Sequence, residues 1–286
     1  MRTHRPLALL LLSAALLPAL VRAQAPTEPT PAKPTAARAA AAGFTPKLFD
    51  EFVAMRTGGT SGQSVWWYCT GELYSYPDGK LLALVEGVDA GRLLVPESHA
   101  GRDAVQLSRK TFVYRDVQTG AVLKEVDGKP LVPIAYPYQV IHYQLVGDRL
   151  LTSVEQGTGA RLARIGPDER ARVRSNGPDA TVFSIPLFLN IETPRGKYEA
   201  YENYDFIVPA VRSKKEVPRY QLSWNRFGDL PPAFGTGKGV MQLVCRRVEK
   251  FSDLPAAIQT YITTEAPLYR EAPRDMAEVR ELQGAK

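Results

Sequence analysis

From Ser64 to Phe251 the chain is a succession of short runs rich in aromatic and β-branched residues, each closed by a turn signal. "SVWWYCTGELYSY" (64–76) meets Pro77-Asp78-Gly79 and continues as "KLLALVEG" (80–87) and "VDAGRLLVP" (88–96). "AVQLSRKTFVYRD" (104–116) alternates in its second half, Thr111, Val113 and Arg115 opposing Phe112 and Tyr114. "DVQTG" (116–120) then reads as a turn, Asp116 placed to cap it and Gly120 to supply a positive φ. "AVLKEV" (121–126) is expected to return as a strand. Tyr138–Val146, "RLLTSVEQ" (149–156), a hairpin of "ATVFSIPLFLNIET" (180–193) with "EAYENYDFIV" (199–208), "RYQLSWNRF" (219–227) and "GVMQLVCRRVEKF" (239–251) follow. Roughly ten strands with no βαβ rhythm predict an all-β fold, a mostly antiparallel, lipocalin-like barrel or sandwich.

Short helices are expected at its ends. "FTPKLFDEFVAMR" (44–56) has Leu48, Phe49, Phe52, Val53 and Met55 at helical spacing. "DLPAAIQTYI" (253–262) opens a second helix, with Ser252 or Asp253 as cap and Pro255 in its first turn. The charged residues 274–286 are expected to be a loose tail, leaving a single β domain over 44–273.

Residues 1–23 read as a Sec-type signal peptide. Arg2 and Arg5 precede the apolar run Leu7–Leu20, and "VRA" sets small residues for cleavage after Ala23. The run is about 14 residues, short of the ~20 that a spanning helix needs, so no transmembrane segment is expected in the mature chain. Residues 24–43, "QAPTEPTPAKPTAARAAAAG", form a Pro/Ala-rich linker. The expected location is the periplasm or the exterior. Loss of Arg2, Arg5 and Arg22 lowers the formal charge from +6 to +3. With no basic stripe interleaved with aromatics, nucleic acid is not an expected partner. Cys69 and Cys245 are the two cysteines. In an oxidising compartment they are expected to form a disulfide, neighbours if the first strand pairs with the last; two buried thiols are the alternative.

Four pieces carry a resemblance: "GELYSYPDGKLLALVEGVDAGR", "FVYRDVQTGAVL", "YQVIHYQL" and "SDLPAAIQTYITTEAPLYREAP". Through Tyr114-Arg115-Asp116 with Thr119-Gly120, and Glu86-Gly87 with Arg92, the chain resembles the bacterial domain-of-unknown-function family numbered 1838 over Phe49–Pro273. That resemblance implies one intact domain in an exported protein and brings no activity, cofactor or catalytic residue with it.

Chemical motifs are sparse. In the chain after the leader His99 and His142 stand alone, with no pair at ligand spacing, so no metal site is expected. Gly59-Thr60-Ser61-Gly62-Gln63 lacks the last glycine of a serine elbow. Gly235-Thr236-Gly237-Lys238-Gly239 precedes a strand rather than a helix, which argues against a phosphate loop. Glu86 ends an apolar run and is expected to pair with Arg92 across a turn. Aromatic residues are the strongest signal. Trp66 and Tyr68 share one face of their strand with Thr70, Glu72 and Tyr74, whereas Val65, Trp67, Cys69 and Leu73 share the drier one. Trp66, Tyr68, Tyr138, Tyr204 and Trp224 are candidates to line a site for a small apolar or aromatic molecule. His142 shares a face with Tyr138, Val140 and Gln144. His142, Tyr138 and Glu86 are the candidates for acid–base chemistry, with Asp205 as another carboxylate partner. Three readings follow: a ligand-binding barrel without a cofactor, an enzyme on the same scaffold, or an envelope structural or interaction protein.

Overall fold

The structure is a computed structural model, and it describes residues 43–59, 62–94, 102–158, 161–193, 196–210 and 219–284. The leader, all of the linker but Gly43, and His99 lie outside the described residues. Helix α1 (Pro46–Thr57) starts where Thr45 accepts from the Leu48 N–H at 3.2 Å, with proline in its first turn. Gly58 closes it in the left-handed conformation, donating to Ala54 O.

Thirteen strands follow among the described residues: β1 (Val65–Tyr76), β2 (Leu81–Leu93), β3 (Asp103–Arg115), β4 (Glu125–Val126), β5 (Lys129–Pro130), β6 (Ile134–Val146), β7 (Arg149–Thr158), β8 (Arg161–Asp168), β9 (Arg172–Ser175), β10 (Ala180–Thr193), β11 (Gly196–Pro209), β12 (Gln221–Asp229) and β13 (Lys238–Val248). All but β4 and β5 join one antiparallel sheet in the order β8-β7-β6-β3-β2-β1-β13-β12-β11-β10-β9. The turn after β3 is built as its sequence implies: Asp116 Oδ1 accepts from the N–H groups of Gln118 and Thr119, and Gly120 has φ 71°. "AVLKEV" does not return as a full strand. Only Val122 bridges back to Arg115, and Glu125–Val126 pairs locally with Lys129–Pro130.

The sheet curls into a half-barrel. Phe112 on β3 and Trp224 on β12 are separated by three intervening strands, about 19 Å if flat at ~4.8 Å per step. Their rings nonetheless meet edge-on at 5.3 Å. Gly87 helps: a side chain there would collide with the Phe112 ring, so glycine lets that ring lie on the strand. The inner face holds Trp67, Cys69, Leu73, Phe112, Phe183, Phe206 and Leu243 in the main core. Helix α1 plugs it, with Phe52 against Tyr143, Phe183 and Phe206.

First and last strands do pair, and the register sets Cys69 opposite Cys245, bridged by a disulfide. That seam is the middle of the sheet, not the closure of a barrel. The edges are β8 and β9, sequence neighbours joined by residues 169–171. Beyond Ser184, β10 has no strand partner on the β9 side among the described residues, so the half-barrel stays open there.

Helices cover part of the outer face. Helix α2 (Ala256–Glu265) buries Ile258 and Ile262 against Trp66, Val88 and Ala90. Its cap position is Pro255, and neither Ser252 nor Asp253 caps it with a side chain, because a 3-10 turn at Phe251–Asp253 moves the start along. Residues 274–286, expected as a loose tail, contain helix α3 (Met276–Gly284). Met276, Val279 and Leu282 form a narrow stripe that packs on Leu94, Leu107, Tyr138 and Val140.

Candidate functional site

The curl brings both halves of the sheet around an internal cavity of about 180 Å3. One wall is aliphatic: Val154 (β7), Ile165 (β8), Leu187 and Leu189 (β10). These come from the two sides of the open seam. The rest of the lining is polar and adjoins it: Lys110 (β3), Tyr136 and Gln139 (β6), Gln156 (β7), and Tyr198, Glu202 and Tyr204 (β11), with Leu187 directly across from Glu202.

Each polar wall residue is positioned by its strand. Lys110 is directly opposite Asp89 in the β2–β3 register, yet Asp89 is engaged elsewhere. It lies 3.6 Å from Arg56 of α1 and accepts from Ser108. Ser108 also contacts Gln139, whose Nε2 donates to Gln156 at 2.6 Å. On the other side, Glu202 accepts from Tyr204 (2.6 Å) and Trp224 Nε1 (3.2 Å), with Arg226 Nε at 3.5 Å. Arg226 also donates to Tyr198. Tyr204 and Trp224 stack at 5.3 Å, and the Lys110 ammonium lies 5.9 and 5.1 Å from their ring centres.

Burial, with the negative charge of Glu202 beside it, pushes the Tyr136 phenol up to about 12. Burial and the hydrogen-bonded Glu202 carboxylate raise Tyr204 well above the ordinary tyrosine value. Burial likewise takes Tyr114, deeper along β3, to about 12. These phenols therefore act as neutral hydrogen-bonding groups at physiological pH.

The residues singled out from sequence divide between the two faces. Tyr204 lines the cavity, and Trp224 lies behind it. Trp66 and Tyr138 are buried on the outer face, beneath helices: Trp66 Nε1 donates to Arg270 O, and Tyr138 packs with α3. Tyr68, also outside, donates to Glu86 at 2.7 Å. Glu86 pairs with Arg115 rather than Arg92. No tight turn separates Glu86 from Arg92; both lie on the continuous strand β2, about 20 Å apart at ~3.3 Å per residue. Arg92 instead reaches Glu271 and Ser64. His142 is exposed, in an outer-surface depression of about 520 Å3, and makes no hydrogen bond or ion pair among the described residues. Asp205 accepts from Ser184 and Asn203, away from His142. The structure thus joins neither Glu86 nor Asp205 to His142.

Sequence reasoning missed Lys110, Tyr136, Gln139, Gln156 and Glu202. Tyr136 and Tyr138 have the same parity, but the β3–β6 register shifts between Ser108 and Lys110. That bulge turns Tyr136 inward while Tyr138 stays outside. Among the described residues, no group of histidine, cysteine and carboxylate side chains could hold a metal, and no helix is long and apolar enough to cross a membrane.

Fold and cavity define a curled, antiparallel β half-barrel with a small internal site of mixed polarity. The model of the family described as "Protein of unknown function (DUF1838)" matches residues 62–284, and the chain belongs to that family. No curated protein and no solved structure matches it.

Proposed function

We propose that this is an exported binding module whose inner cavity holds a small, largely apolar molecule. The observation that carries this reading is an aliphatic patch adjoining convergent polar groups beneath the unpaired part of β10. An apolar surface with a few placed polar groups is the usual composition of a ligand site. The volume, equal to roughly six waters at ~30 Å3 each, limits the occupant to a short chain or a single ring. Export is supported by the leader-like residues 1–23 and by a disulfide that suits an oxidising compartment. The mature amino terminus is then Gln24.

Native mass spectrometry of protein purified from its own host tests the site. A retained small molecule is expected in the natural chain and lost from Leu187→Trp, which fills the aliphatic wall. Retention undiminished in that variant would place the ligand elsewhere.

A further inference from the structure

Around the cavity, among the described residues, Arg56 and Arg226 have carboxylates beside them and Lys110 has none. Arg56 is matched by Asp89, and Arg226 by Glu202. Lys110 is left over. It is 8% exposed, faces the cavity, and has no hydrogen-bond acceptor or carboxylate partner for its ammonium among the described residues. Its cross-strand neighbour Asp89 is held by Arg56 and Ser108, and its ammonium lies over the ring faces of Trp224 and Tyr204. Ring faces favour a cation but accept none of its three N–H donors. The ammonium is not sealed in protein but opens on the cavity, so its donors are left to whatever occupies that space, and an occupant that accepts none of them would leave a costly desolvated charge.

We infer that Lys110 is the anchor for the anionic head of the ligand, and that the ligand is a small organic monocarboxylate. This rests on the binding reading above. The head lies against Lys110, where the Tyr136 hydroxyl and the Gln139 and Gln156 amides line the same wall. The body lies against Val154, Ile165, Leu187 and Leu189. An inorganic anion would use the head position and leave the aliphatic wall without a role. A neutral molecule would leave the ammonium unmatched. A dicarboxylate would bring its second charge against aliphatic side chains or Glu202.

The test compares acids with their neutral isosteres. Benzoate and straight-chain monocarboxylates of increasing length, their primary amides, and inorganic phosphate are titrated into the full mature chain by calorimetry. The same titrations are run on Lys110→Met, with Lys110→Gln as a second variant if the first folds poorly. Each acid is expected to bind at least about tenfold more tightly than its amide, the range of a charge-assisted hydrogen bond. That preference should vanish in the variant, while affinity rises with chain length until the cavity is full. Equal binding of acids and amides to the natural chain would overturn the anchor and leave the binding reading standing. Phosphate binding without the acids would overturn the organic ligand. Binding of none of the three would overturn both readings. The acid-to-amide ratio of the natural chain decides the matter even if neither variant folds.

Discussion

Arg109 and Lys110 are consecutive on β3 and point to opposite faces of the sheet. Both are nearly buried, at 5% and 8% exposure. Outside, Arg109 is bonded through all three of its nitrogens: it donates to Pro137 O at 2.9 Å, to Glu271 O at 3.2 Å and to Glu278 of α3. Inside, Lys110 has two ring faces and no group among the described residues that accepts its protons. The outer face uses charge to dock its helices: Arg92 reaches Glu271, and Glu86 is held by Arg115 and Tyr68, although the buried Nε of Arg92 has no acceptor among the described residues. The inner face leaves one charge open. Burial alone therefore does not tell a partnered cation from an unpartnered one; the census of its partners does.

The largest expected effect is on the outer face. Arg109→Ala takes one of two basic partners from Glu278, which keeps Arg274, and leaves the Pro137 and Glu271 carbonyls without that donor; it should destabilise the chain by about 2 kcal/mol, the range for buried polar groups left without a partner. The urea midpoint should fall with an unchanged slope. A loss below about 1 kcal/mol would show that water replaces the arginine and that the helices do not depend on it.

Alkaline titration probes the inner face next. Tyrosine ionises near 10 in an unfolded chain, whereas Tyr114 and Tyr136 are raised to about 12 in the fold. A raised folded value means that their contribution to stability is complete below pH ~10 and is lost as the pH climbs through ~12. Tyrosinate absorbance from these residues should appear together with loss of near-ultraviolet dichroism in that window. Ionisation finished near pH 10 with the fold intact would mean that the inner wall is far wetter than its packing indicates.

Lys110→Met should alter stability by less than about 1 kcal/mol in either direction. It strands no partner, and exchanging a buried charge for an apolar side chain of similar volume is often neutral or stabilising. A loss as large as that of Arg109→Ala would make Lys110 a structural residue and erase the contrast between the faces.

Much of the frame was legible in the sequence because it depends on local rules. Strand parity sorted Trp67, Cys69 and Leu73 from Trp66 and Tyr68, and the two cysteines were correctly paired. Asp116 and Gly120 marked their turn. What depends on three-dimensional closure was not legible. One bulge on β6 reverses Tyr136 relative to Tyr138. The sheet order puts the first and last strands at the centre, so the open seam falls between strands from the middle of the chain. Helix α3 was hidden because Arg274, Asp275, Glu278, Arg280 and Glu281 surround a stripe of three apolar residues. Trp66 and Tyr138 have the amphipathic character of a pocket wall, but helices supply their cover. Lys110 looked like any strand lysine, since the absence of partners is a property of the assembled interior.

His142 offers the smallest effect and a clean control. It shares its strand face with Tyr138 and Val140, which Val279 of α3 covers. His142 itself is exposed and has no hydrogen bond or ion pair among the described residues. Truncating such a side chain leaves no buried group unpaired and no cavity, so His142→Ala should change stability by under ~0.5 kcal/mol. The acid-over-amide preference should also be unchanged, because the side chain lies outside the sheet and the cavity lies within. The urea midpoint and the two titrations, run beside those of Lys110→Met, check both statements. If His142→Ala removed the preference while Lys110→Met kept it, the ligand would sit in the outer depression between β3, β6 and β7, and the open charge within would need another explanation.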